Sequence, residues 1–164
     1  MTSEADKKTI EESFTYKGYP CVVKFMPWGT RCGYVGIPEE NILYDFKEND
    51  LNILIFCHGG ITYDERSLPG DDRKGIRWIG FDCHHVSDAE DFQLAKERYG
   101  NDPDFAIHMH DVDILSKKHP NPNGKYGIVR SKDYVKTECE AIVDQLILMS
   151  NLRDFIKYVH EEKS

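Results

Sequence analysis

Residues 76–85 read IRWIGFDCHH, and the reading of this stretch decides the fold. Through Phe81 it is an apolar, strand-like run suited to a buried sheet position. It then sets an acid, a thiol and two imidazoles in a row: Asp82, Cys83, His84 and His85. Neighbouring strand residues project to opposite faces. The four are therefore not one cluster: Asp82 and His84 share a face, and Cys83 and His85 turn the other way.

The partner strand comes from LNILIFCHGGITY, residues 51–63, the most hydrophobic stretch of the chain. The polar loop DERSLPGDDRKG (64–75) separates the two, so they read as a hairpin. Two registers follow. One sets Thr62 opposite Trp78, Gly60 opposite Gly80 and His58 opposite Asp82, with directly opposed Cβ atoms roughly 5 Å apart. That register gives an imidazole–carboxylate pair beside a bare floor of glycines. A slip of one residue sets His58 against Phe81, turns Asp82 away and leaves only core. The first register is the one favoured.

Upstream, SFTYKGYPCVVKFM (13–26) reads as two strands around a turn at Lys17-Gly18, and RCGYVGIP (31–38) as a third. Downstream, SDAEDFQLAKERYG (87–100) fits a short helix with Ser87 as N-cap and Gly100 as stop. Residues 101–124 read as a long loop with at most one short element. From Ser131, an expected N-cap, Val135, Cys139, Ile142, Val143 and Leu146 form one helical stripe. Leu152, Phe155, Ile156 and Val159 extend it or form a second short helix. The expected architecture is α+β: a mostly antiparallel sheet of about five strands with a C-terminal amphipathic helix packed on one face. Residues 1–164 are expected to form a single domain, with the charged start, 1–12, frayed.

Composition narrows the function classes. The chain has 164 residues, 12% aromatics and a formal charge of −8 from 29 acids against 21 bases. Such a chain, lacking basic runs, is unsuited to tracking long nucleic acid by phosphate neutralisation. No stretch reaches the ~20 apolar residues of a membrane span, and no signal peptide is visible. Five cysteines, an odd number without a C-x-x-C pair, point to free thiols in a reducing cytoplasm.

Several groups carry chemistry. Imidazoles and carboxylates are general bases and metal ligands, so His58, Asp82 and His85 are candidate catalytic groups. The same three with Asp88 are a candidate set for a divalent metal. Gly59 and Gly60 leave room for a ligand's approach. Trp28, Arg31 and Tyr34, with Thr62, Tyr63 and Trp78, offer aromatic stacking and a cation for an anionic ligand. His108, His110 and Asp111 form an H-x-H-D run whose bland reading, exposed loop histidines, is the stronger. Walker, G-x-S-x-G, H-E-x-x-H and G-x-G-x-x-G motifs are absent from the sequence.

The segments RCGYVGIP, HGGITY, WIGFDCHHVSD and DYVKTECEAIVDQL, in this order, resemble an uncharacterised family carried by bacteriophages and prophages. The resemblance spans residues 14–149. It rests on an HGG-T-Y segment, a G-F-D-C segment followed by His and Asp, and an ending helix. It implies weight on His58, Gly59, Gly60, Thr62, Tyr63, Trp78, Gly80, Asp82, Cys83, His85 and Asp88. His84 departs from the family's small residue, which moves weight to His85. That conflicts with the strand-face argument unless the strand ends or bulges at Cys83. The resemblance also implies a host-cell cytoplasm and an accessory, anti-defence role. Three functions follow as expectations. The first is capture of a small anionic ligand, a nucleotide signal, and the second is hydrolysis of such a ligand by His/Asp or metal chemistry. The third is acidic blockade of a host defence protein. Self-association is a further expectation, because sheet edges are unaccounted for.

Overall fold

The computed structural model describes residues 2–119 and 127–163. Its order is α1 (Glu4–Lys8), β1 (Ile10–Tyr16), β2 (Tyr19–Phe25), β3 (Arg31–Pro38), α2 (Glu48–Leu54), β4 (Tyr63–Glu65) and β5 (Ile76–Asp82). There follow α3 (Phe92–Tyr99), α4 (Ala106–Lys118, entered through a 3-10 turn at Pro103–Phe105) and α5 (Lys132–Glu162). The five strands form one sheet in the order β1-β2-β3-β5-β4, and every neighbouring pair is antiparallel. This is the α+β architecture expected from the sequence.

The first hairpin closes at Lys17-Gly18, both with positive φ (47° and 86°). That is the turn whose twist matches flanking strands. Strand alternation then divides the core. Cys21, Val23, Val35, Ile37, Ile79 and Phe81 lie on the face covered by the α5 residues Val135, Cys139, Ile142, Val143 and Leu146. Val22, Tyr34, Ile76 and Trp78 lie on the opposite face, closed by Leu68 of the 64–75 segment. Phe25 anchors a third cluster with Phe92, Ala95 and Tyr99 of α3 and Met109 and Val112 of α4.

Several sequence expectations need correction. Residues 51–63 are not a strand: Leu51–Leu54 end α2, and only Tyr63–Glu65 pair with β5. Leu51 and Ile55 are buried while Ile53, Leu54 and Phe56 are exposed, a spacing of four that belongs to a helix turn rather than to strand alternation. Neither proposed register occurs. Tyr63 lies opposite Gly80 and Glu65 opposite Trp78, because Gly59 and Gly60 take positive φ (67° and 84°) and turn the chain before it reaches β5.

Within the loop expected over 101–124, of which 120–124 lie outside the described residues, residues 106–118 form a helix of 13 residues, longer than the short element allowed for. Asp102 caps its entry turn with Pro103 at the first position, and Met109 and Val112 supply the i, i+3 apolar contacts. The cap of α3 is Asp91, whose carboxylate accepts the Leu94 N–H at 2.9 Å, rather than Ser87. The Ser87 carbonyl is taken instead by the Ile128 N–H. Within the charged start, Ser3 and Asp6 form a capping box on α1 and β1 follows. Ser131 does cap α5, which runs unbroken through Ser150-Asn151.

Candidate functional site

The loop after β5 builds the site. β5 ends at Asp82, and the chain then turns so that the Asp88 N–H reaches the His85 carbonyl at 2.9 Å. A short parallel bridge fixes this loop from outside: Ile128 donates to Ser87 and accepts from Ala89, both at 3.0 Å. The bridge brings Arg130 alongside the loop. Helix α5 holds the opposite wall, where Glu138 accepts the His58 backbone N–H at 2.8 Å. Gln145 both accepts from and donates to Phe56.

Asp88 is the centre. Its side chain is 1% exposed. One carboxylate oxygen meets His58 Nε2 at 2.7 Å, the His85 backbone N–H at 3.0 Å and His85 Nδ1 at 3.2 Å; the other accepts Arg130 Nε at 2.8 Å. Burial alone would raise this carboxyl, but the hydrogen bonds from Arg130, His58 and the His85 amide outweigh it and hold the pKa at about 2. The carboxylate is a fixed negative charge with one cationic partner.

The tautomers follow from the partners. His58 Nδ1 lies 2.9 Å from the Tyr134 hydroxyl. With Nε2–H donating to Asp88 and Tyr134 O–H donating to Nδ1, neutral His58 is satisfied at both nitrogens. His85 uses Nδ1–H toward Asp88, and its Nε2 has no hydrogen-bond partner among the described residues. The ring is about a third exposed (34%). The Arg130 terminal nitrogens likewise have no hydrogen-bond partner among the described residues, and the guanidinium rests 4.9 Å from the Tyr134 ring centre. Gly59 makes the assembly sterically feasible, since a Cβ there would lie 2.1 Å from His85 Cε1.

Among the sequence candidates, the structure gathers His58, His85, Asp88 and Gly59. Asp82 stands at the rim, accepting the Thr62 hydroxyl and the His84 N–H, both at 3.0 Å; its carboxylate is 3.9 Å from His85 Nδ1. Gly60 is beside the site with open space where a side chain would be. The aromatic candidates lie elsewhere. Trp78 is fully buried, and Tyr34 and Tyr63 pack edge to face on the sheet side opposite Phe81. Arg31 is buried in a bidentate pair with Glu11 (2.6 and 2.9 Å). Trp28 donates to Thr30 and lies beside His108. His108 and His110 are on α4, and so is Asp111.

Arg130, Tyr134 and Glu138 were not singled out from sequence. One signal for two of them existed: Tyr134 and Glu138 are four apart on α5, one step round from the Val135–Cys139 stripe. The thiols are not nucleophile candidates, because burial pushes Cys57 up to about 12 and Cys83 higher still.

One nitrogen each of His58 and His85 and one oxygen of Asp88 all lie within 4.8 Å of one another, a geometry compatible with three ligands of a metal ion. Arg130 on the remaining oxygen of Asp88 already offsets its charge, so a divalent ion there would face a neighbouring cation. No helix among the described residues is long and apolar enough to cross a membrane. Comparison with protein-family models, with curated proteins and with solved structures gave no match.

Proposed function

We propose that this protein hydrolyses a small phosphate-bearing ligand of the nucleotide class, with His85 as general base. The observation that carries the reading is the position of Asp88. The buried carboxylate takes the Nδ1 side of His85 while Nε2 stays unpartnered among the described residues. An imidazole held this way is oriented, and the imidazolium it becomes is stabilised by the carboxylate. In the proposed step, His85 Nε2 takes a proton from water as the water oxygen attacks phosphorus. The P–O bond to the leaving alkoxide breaks, and that oxygen is protonated from solvent. The terminal nitrogens of Arg130 face the phosphate oxygens, with the geometry suited to bidentate contact. Tyr134 and Asp88 hold His58 as a positioning residue under the site.

The resemblance to phage proteins supports placing this chemistry in a host cytoplasm, where a nucleotide signal of host defence is a fitting substrate. A second reading has its own support in the compact His58, His85 and Asp88 set, with the same substrate activated by a bound divalent metal. Incubation with a panel of cyclic and linear nucleotides, followed by mass spectrometry of ligand and protein, tests both. Cleavage that survives EDTA and falls at least ~100-fold in His85→Ala supports the base mechanism. Cleavage abolished by EDTA and restored by zinc or manganese supports the metal reading. A ligand bound and returned intact overturns hydrolysis and leaves a capture module.

A further inference from the structure

Helix α5 is longer than the body it packs on. Its 31 residues extend ~46 Å at 1.5 Å per residue, whereas seven- or eight-residue strands reach about 25 Å. The buried residues of α5 stop at Leu146. Beyond that point the helix remains apolar without being covered. Leu148, Leu152, Phe155, Ile156 and Tyr158 are between 48% and 69% exposed, and Leu54 of α2, 48% exposed, stands beside them. Leu152 and Ile156 face Leu43, Phe46 and Leu54 across an apolar cleft of ≈ 300 Å³.

The spacing of this exposed stripe is distinct from that of the buried one. Exposed Leu148, Leu152 and Phe155, with half-buried Val159, follow intervals of four, three and four, the pattern by which one helix seats on another like itself. At 100° per residue this seam lies on the order of 140° around α5 from the buried stripe. It therefore does not continue the core. An isolated stretch of this length is marginally stable as a helix in water unless its apolar face is covered.

We infer that the exposed stripe of α5, with Leu54 of α2, is the interface of a homodimer, and that its occupant is the same stripe of a second copy of this chain. The area is sufficient. A large side chain exposes ~200 Å², so the five α5 residues and Leu54 offer roughly 700 Å² per copy. Two such faces remove on the order of 1,400 Å², within the ~1,200–2,000 Å² of stable interfaces. Charge permits it too. The whole chain carries 29 acids against 21 bases, whereas residues 147–163 carry three of each: Asp154, Glu161 and Glu162 against Arg153, Lys157 and Lys163. The segment that carries this stripe is thus electrically balanced, so the face itself adds no net charge repulsion between two copies. A twofold contact of a patch with itself is also the commonest mode of assembly among soluble oligomers.

Sedimentation equilibrium of the full chain tests the inference. The expected species has twice the 19.0 kDa of one chain. Leu152→Glu and Phe155→Glu are each expected to weaken association at least ~100-fold, as truncation of a central interface anchor does. Val86→Glu, at an exposed position on the loop after β5 and outside the α5 stripe, is expected to leave the dimer intact. A native chain that sediments as a single copy up to ~100 μM overturns the proposal, as does a dimer that persists in the Leu152→Glu, Phe155→Glu double variant. Far-ultraviolet circular dichroism of that variant separates lost association from lost folding: the strands and the first half of α5 are expected to keep their signal.

Discussion

His58 and Asp88, thirty residues apart in sequence, meet at 2.7 Å with Asp88 sealed from solvent. This contact ties the glycine loop before β4 to the loop after β5. Because the same carboxylate also takes His85 and Arg130, it joins three segments, and its charge is what they share. Asp88→Asn keeps the shape, removes the charge and turns one acceptor into a donor. The expected cost is about 3 kcal/mol, the scale for breaking a buried charged network by altering one partner. Urea unfolding measures it; a loss under ~0.5 kcal/mol would mean the network does not support the fold.

Acid should act through the same group. The carboxyl has a folded pKa of about 2 against an ordinary 3.8, so the folded state binds its proton less readily than the unfolded one. The resulting stability is fully present above about pH 4 and is lost as pH falls through 2. Its size is on the order of 2 kcal/mol. Unfolding free energies of native protein and Asp88→Asn, compared at pH 6 and near pH 2, should converge in acid. A gap that stays constant would contradict this assignment.

Gly59 and Gly60 both have positive φ, but only Gly59 lies under His85. Gly60→Ala should therefore cost only backbone strain, about 1 kcal/mol. Gly59→Ala adds a Cβ 2.1 Å from the imidazole and should cost at least about 2 kcal/mol while displacing His85. Equal losses in thermal unfolding would show that the contact with His85 carries nothing.

The strands from β1 to β3, β5 and the buried stripe of α5 were legible because their apolar spacing is local and regular. The site was only half legible. His58, His85 and Asp88 are conspicuous residue types, yet the pairing that united His58 with Asp82 assumed a long strand. Two positive-φ glycines turn that segment away from β5, which no apolar count could show. Arg130 reaches Asp88 through a two-residue parallel bridge at Asp88 and Ile128, and isolated bridges leave no periodic signal. Arg31 and Trp78 looked like ligand groups because a buried cation or indole has the same one-letter code as an exposed one.

Tyr134 should be separable from the fold. Its hydroxyl bonds His58 Nδ1 at 2.9 Å, while its ring is partly buried against the core beneath α5 and lies under Arg130, contacts that phenylalanine keeps. Tyr134→Phe is expected to cost about 1 kcal/mol. It also removes the donor to Nδ1 while Nε2–H stays on Asp88, so the Nδ1 nitrogen resonance of His58 should move toward that of an unbonded imidazole nitrogen. Unchanged nitrogen shifts would place the hydroxyl outside the network.

Arg31 offers the converse case, a residue with the chemistry of a ligand site and the surroundings of a structural one. Its Nε and one terminal nitrogen fork onto Glu11, whose second cationic partner is Arg98, and its other terminal nitrogen donates to the Arg130 carbonyl at 2.9 Å. Glu11 is 7% exposed. Burial would raise its carboxyl, yet the bonds from Arg31 and Arg98 leave it lowered. Arg31→Lys keeps a charge but loses the fork, so Glu11 is left under-bonded inside the protein. The expected result is a stability loss of about 2 kcal/mol, read by urea unfolding. A variant of native stability would mean that the buried fork onto Glu11 contributes nothing to the fold.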